Sequence, residues 1–149
     1  SVILTSEAYA ALETEIREQP EKIEEEVRGR IINGLNMQAV DYIRALKVKH
    51  AAVDEFLRVL DKVDTIMTPT LSVLPSDIEQ REIEVNGKTE HPRLLNRLTG
   101  PTNTTGLPSI SVPGGTSQNG LPVGVQFIGR PFAETSLYRF ARQVEVSNE

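Results

Sequence analysis

Chemistry in this chain would have to come from hydroxyls, carboxamides and backbone donors, because the usual catalytic groups are sparse or isolated. The two histidines stand far apart, His50 on the apolar stripe of a helical stretch and His91 in a polar loop. Neither has a pair of carboxylates at ligand spacing, so no metal site and no cofactor is predicted. A packed or surface imidazole accounts for each. No strand–Gly-x-Ser-x-Gly–helix elbow sets up a Ser-His-Asp triad. No Gly-x-Gly-x-x-Gly or Walker-type loop follows a strand, so nucleotide binding finds no support. Two small polar clusters remain. Thr68, Pro69 and Thr70 end a β-prone run, and ligands of open α/β sheets bind at strand ends. Asn103, Thr104 and Gly106 offer amide, hydroxyl and backbone donors in a polar turn before the next strand. Together these six are the candidate substrate-binding residues; for any one alone, turn chemistry is the plainer account.

The elements that must position them divide at about residue 62. Residues 1–62 read as a helical arm. Thr5 or Ser6 can cap a helix carrying Tyr9, Leu12 and Ile16 on one stripe. Pro20 ends it and starts a second helix with Ile23, Val27 and Ile31 inward. Gly34 sits where a left-handed C-cap belongs, and Asn36 can cap a third helix. There Ile43, Leu46, His50, Val53, Leu57 and Leu60 form a seam, leaving Lys47, Lys49, Arg58 and Lys62 in water. A coiled coil is the rival, but the first two helices lack sustained heptads.

Residues 63–149 read as an α/β portion. Asp64–Thr68 is a short strand stopped by Pro69. Ile83 and Val85 alternate with Glu82 and Glu84 before Asn86-Gly87, so 82–91 is predicted as an exposed two-stranded ribbon in a long loop. A short helix is expected over 93–98, core strands over Ser109–Val112 and Val123–Ile128, and a last helix burying Leu137, Phe140, Ala141 and Val144. Strands interleaved with helices imply an α/β fold, helices on a mixed sheet, with the hairpin supplying an antiparallel pair. The polar 71–98 loop could form a rim for a ligand or be an ordinary surface excursion.

Composition narrows the functions. The 149 residues, 38% hydrophobic and 25% charged, suit one thin-cored domain or an arm plus a small α/β unit. A formal charge of −5 argues against nucleic-acid or anionic-membrane partners. No run approaches a membrane span, and no basic-then-apolar leader opens the chain. With no cysteine, disulfides and thiolate metal sites are excluded, and a reducing cytoplasm is the expected compartment.

Between Thr99 and Glu134 glycine and proline punctuate the chain so densely that the backbone path is specified almost residue by residue. Asn103-x-x-Gly106-x-Pro108, Pro113-x-Gly115, then Leu121-Pro122-Val123-Gly124-Val125-Gln126-x-Ile128-Gly129-Arg130-Pro131 and Glu134 follow in order. This series resembles the closing segment of the amidase-signature hydrolases. Asp64–Thr70 resembles that family's D-x-x-x-x-P-T strand end, and Ser6–Tyr9 and Ala39–Tyr42 fit its preceding helices. The ordered set spans nearly the whole chain. It implies the C-terminal part of one amidase-signature domain, with helices on both faces of a mixed sheet.

By the same resemblance, family members cleave carboxamides with a nucleophilic Ser, a second Ser in a cis peptide, and a Lys acting as base and acid. Those residues belong to an N-terminal half that this sequence does not contain, so no catalytic residue is assigned and this polypeptide alone is expected to be inactive. The implied partners are that missing half and a small amide substrate; a homo-oligomer stays open. Gly114-Gly115-Thr116-Ser117 superficially resembles the family's Gly-Gly-Ser-Ser-Gly-Gly nucleophile loop, but Gln118-Asn119 replace the last glycines. Ser117 is read as a loop residue.

Two parent activities compete: a general amidase, and the glutamine-hydrolysing component of a glutamyl/aspartyl-tRNA amidotransferase. Such components follow S-E-A-S with N-L-x-R-[FY]-D-G and place Tyr-x-x-Asp before the Asn-x-x-Gly turn. Here the stretches read Ser6-Glu7-Ala8-Tyr9 and onward to Glu15, and Arg93-Leu94-Leu95-Asn96. Neutral Asn96 cannot replace a carboxylate gripping glutamine's charged end, which favours the general amidase. A free-standing interaction module is the alternative from another class.

Overall fold

The computed structural model describes residues 2–77 and 82–147. The chain divides into two compact units, Ser1–Ala52 and Val53–Glu149.

The first unit is helical. Helix α1 spans Val2–Glu18, α2 spans Glu25–Ile31, and α3 spans Ala39–Leu60, whose first residues belong to this unit. Thr5 and Ser6 lie inside α1 rather than capping it: no glycine or proline interrupts the stretch, so the helix runs through both. Its stripe buries Tyr9 and Ile16. Pro20 starts a single 3-10 turn, Pro20–Lys22, and the Glu24 carboxylate then caps α2 by accepting from Val27 N–H at 2.9 Å. Gly34 is not the left-handed cap that its position suggested. It lies in a 3-10 turn, Ile32–Asn36, where a Cβ would stand 2.3 Å from the Thr5 carbonyl oxygen and 2.6 Å from Tyr9 Cβ. Close approach of two backbones, not positive φ, requires glycine there. Asn36 ends that turn, and the Gln38 carbonyl receives the first α3 amides, from Asp41 and Tyr42.

The second unit holds the sheet. Strands β1 (Ile66–Pro69), β4 (Ser109–Thr116) and β5 (Pro122–Ile128) form one sheet in the order β1-β5-β4, both pairs antiparallel. Strands β2 (Ile83–Val85) and β3 (Lys88–Glu90) form the expected ribbon, turned by Asn86 at φ 52° and Gly87 at φ 71°. Its Ile83 is buried while β3 is exposed. The expected helix over 93–98 is a 3-10 segment, Pro92–Arg97; residues 78–81 of the expected rim loop lie outside the described residues.

Register assigns each side chain of the sheet to a face. Ile66, Thr68, Gln126, Ile128, Ser109 and Ser111 share one; Met67, Pro69, Val125, Phe127, Ile110 and Val112 share the other. On the second face, helix α5 (Glu134–Ser147) buries Leu137 and Ala141 against Val112 and Phe127, with Phe140, Val144, Ile110 and Val125 partly buried around them. The rings of Phe127 and Phe140 stack with centroids 6.2 Å apart. On the first face, Ile128 and Ile66 meet Leu107 and the end of α3 through Leu60, Phe56 and Leu57. The long α3 seam is therefore buried only where the sheet reaches it: Leu60 is fully buried, whereas Ile43 and His50 are exposed. Arg130 fastens this junction, donating to the Leu60 carbonyl oxygen at the end of α3 and pairing with Asp61 at 2.9 Å.

The β4–β5 hairpin extends beyond the predicted strands. A bulge between Pro113 and Gly115 keeps the pairing going to Thr116↔Pro122, with Gly115 at φ 123°.

Candidate functional site

The first face of the sheet changes character along its strands. At one end Ile66 and Ile128 enter the core; at the other, Thr68, Gln126 and Ser111 stand in one cross-strand row. Gln126 is only 3% exposed, and a buried carboxamide needs partners. Its Nε2 donates to Thr68 Oγ1 and to the Leu98 carbonyl oxygen, each at 3.2 Å. One step further out, Thr70 and Ser111 hydroxyls lie 2.6 Å apart. That contact spans Gly124, where a Cβ would stand 2.7 Å from Thr70 Oγ1 and 3.3 Å from Ser111 Oγ. The Thr70 amide donates to the Gly124 carbonyl at 2.8 Å, continuing the β1–β5 ladder past Pro69. A strip of neutral hydrogen-bonding groups thus runs across all three strands.

The six residues predicted from sequence divide. Thr68 and Thr70 meet in this strip, both half-buried. Pro69 is exposed and belongs to the opposite face, as period-two alternation requires. Asn103, Thr104 and Gly106 form no open turn: they are the last part of helix α4 (Gly100–Thr105) and its left-handed cap, Gly106 at φ 74°. There the Thr104 hydroxyl donates to the Gly100 carbonyl at 2.9 Å and the Gly106 amide to the Thr102 carbonyl at 2.8 Å. Thr104 and Gly106 are engaged by the helix itself, while the Asn103 side chain is exposed. The strip and α4 are nevertheless linked, since Leu98, the acceptor of Gln126, lies two residues before α4 begins.

Ser111 and Gln126 were missed by sequence reasoning. The available signal was a carboxamide inside the apolar run Val123–Ile128, at the parity that faces Thr68 once the strands pair. Ser117, by contrast, is a turn residue as expected: its Oγ accepts from the Leu121 amide at 3.1 Å, and its own amide donates to the Leu121 carbonyl at 2.8 Å. His50 and His91 are exposed.

An α/β unit with a hydroxyl–carboxamide strip at a strand end defines a ligand-holding scaffold, and comparison with known proteins assigns its family. The protein-family model described as Amidase matches residues 4–138, so this chain belongs to the amidase family. The chain is 34% identical over 147 residues to a fatty acid amide hydrolase of Medicago truncatula, covering 97% of this chain and 24% of that protein. It is 41% identical over 129 residues to the GatA-type component of the glutamyl-tRNA(Gln) amidotransferase of Thermotoga maritima, covering 81% of this chain and 25% of that protein. A crystal structure of an amidase superposes with a TM-score of 0.90 at 24% identity, over 99% of this chain and 34% of the other. The chain therefore spans about a quarter of the length of these curated relatives, and the likeness to the crystal structure extends through both the helices and the sheet.

Proposed function

We propose that this chain is the C-terminal part of a cytoplasmic amidase-signature hydrolase that cleaves carboxamide C–N bonds. The observation carrying this reading is a family match across residues 4–138 in a chain spanning about a quarter of its relatives. In the proposal, residues 1–62 are the helical arm and 63–149 the α/β portion of one domain. The bond-breaking Ser-Ser-Lys set lies on upstream polypeptide, which packs with this part. Its serine attacks the amide carbonyl, amine or ammonia leaves, and water releases the acyl group. Residues 1–149 supply scaffold and one wall of the pocket. Thr68 and Thr70 hold the substrate at the strand end; Asn103, Thr104 and Gly106 form the bordering cap of α4. The local bonding supports a non-nucleophilic role, because the Ser111 hydroxyl is paired with Thr70 and the Ser117 hydroxyl with a backbone amide.

The second reading, the glutamine-hydrolysing component of a tRNA-dependent amidotransferase, is favoured by the 41% identity to the Thermotoga maritima protein. We prefer a general amidase because Asn96 stands where a carboxylate would be needed to hold a charged amino-acid end. The deciding experiment assays the complete polypeptide carrying this chain against L-glutamine and against simple aliphatic and aromatic amides. Turnover of simple amides with none of glutamine supports our reading; glutamine as the sole substrate reverses the preference. Turnover by residues 1–149 alone would refute the division of labour.

A further inference from the structure

Gln126 is the most deeply buried polar group of the strip, and its bonds have a direction. The Leu98 carbonyl can only accept, so the carboxamide nitrogen, not its oxygen, must face it. The same nitrogen lies against Thr68 Oγ1, and an amide nitrogen cannot accept. Thr68 is therefore the acceptor of that bond, and its hydroxyl proton remains to be donated elsewhere. Among the described residues that proton has no acceptor. The face it shares stays open: Ser111 is exposed, and Gly124 puts no side chain across the row.

We propose that Gln126 is a positioning residue that orients Thr68 to donate its hydroxyl proton to a carbonyl oxygen of the bound amide. This deepens the proposed function and rests on it. A free hydroxyl rotates among three staggered positions and can offer either a proton or a lone pair. Once a lone pair is held by Gln126, the role of Thr68 is settled before ligand arrives, and less ordering is required on binding. The second Gln126 bond fixes the donor to the segment entering α4, so the carboxamide is held from two sides. The ligand selected is neutral and accepts a hydrogen bond, matching a strip that carries no formal charge.

The test uses the complete polypeptide with benzamide and propanamide, comparing Thr68→Val, Thr68→Ser, Gln126→Leu and the double variant Thr68→Val/Gln126→Leu. Losing one neutral hydrogen bond should raise KM about three- to tenfold in Thr68→Val with kcat within about twofold. Thr68→Ser should retain the unaltered KM. Gln126→Leu should raise KM as well, and the double variant should be no worse than Thr68→Val, because Gln126 acts through Thr68. If Gln126→Leu does not fold, the Thr68 pair decides the matter, since it differs by one hydroxyl. An unchanged KM in Thr68→Val, or single effects that multiply in the double variant, overturns the inference while leaving the amidase reading intact. Absence of turnover by the unaltered polypeptide on any amide defeats both.

Discussion

Thr70 and Ser111, 41 residues apart in the chain, bring their hydroxyl oxygens to 2.6 Å across the central strand of the sheet. The approach passes directly over Gly124, the strand position that carries no Cβ. Gly124→Ala should therefore act like overpacking. Its methyl would lie 2.7 Å from Thr70 Oγ1 and 3.0 Å from Thr70 Cβ, so β1 must move or the hydroxyl contact must open. A loss of about 1–3 kcal/mol is expected by urea denaturation. Unchanged stability would mean that the strip is looser than these distances imply.

Two glycines of the helical unit should respond oppositely. At Gly34 a Cβ meets the Thr5 carbonyl oxygen at 2.3 Å, and backbone cannot swing aside as a side chain can. Gly34→Ala is expected to destabilise by about 1–3 kcal/mol. Gly29 lies within α2 with nothing inside 4 Å of an added Cβ, so Gly29→Ala should stabilise by about 0.5–1 kcal/mol through helix propensity. Helical circular dichroism followed through denaturation measures both, and the same sign for the two would contradict this packing.

Arg130 should matter more than its ion-pair partner. Both side chains of the Arg130–Asp61 pair are about half-exposed or more, at 49% and 66%, so the pair itself contributes at most about 1 kcal/mol. Arg130 also satisfies the Leu60 carbonyl at the end of α3, a group on a fully buried residue. Asp61→Asn is thus expected to be nearly neutral and Arg130→Ala to cost about 1–2 kcal/mol. Equal losses, measured by chemical denaturation at moderate salt, would reduce the contact to a surface ion pair.

Tyr42 supplies a pH dependence with a definite sign. Its hydroxyl donates to Glu7 Oε1 at 2.8 Å, and that hydrogen bond, more than burial or the neighbouring charge, raises its pKa above the ordinary value of 10.0. A raised folded-state pKa means the contribution to stability is complete below the unfolded value. It is lost as pH climbs through the folded one. Ultraviolet titration of tyrosinate should show one late component that Tyr42→Phe removes and Glu7→Gln shifts downward. Persistence of the late component in Tyr42→Phe would assign it to another tyrosine.

Much of this architecture was legible along the chain. The strand from 123, the hairpin at Asn86-Gly87, the closing helix with Leu137 and Ala141 inward, and the loop role of Ser117 follow from local alternation and turn chemistry. Such features depend on neighbours within a few residues, and a pattern records them directly. The ordered Gly, Pro and Gln positions likewise carried the family assignment.

The pairing of β1 and β4 with β5 was not legible in the same way. Only that register puts Thr68 beside Gln126 and Thr70 beside Ser111, over separations of 58 and 41 residues, and sends Pro69 to the other face. Glycine at 34 shows the same limit: the sequence permits a cap, while a carbonyl from α1 demands room. Local propensity is a property of short segments, whereas contact across a fold depends on which segments meet. A one-residue slip of β1 would have dissolved the strip with the composition unchanged.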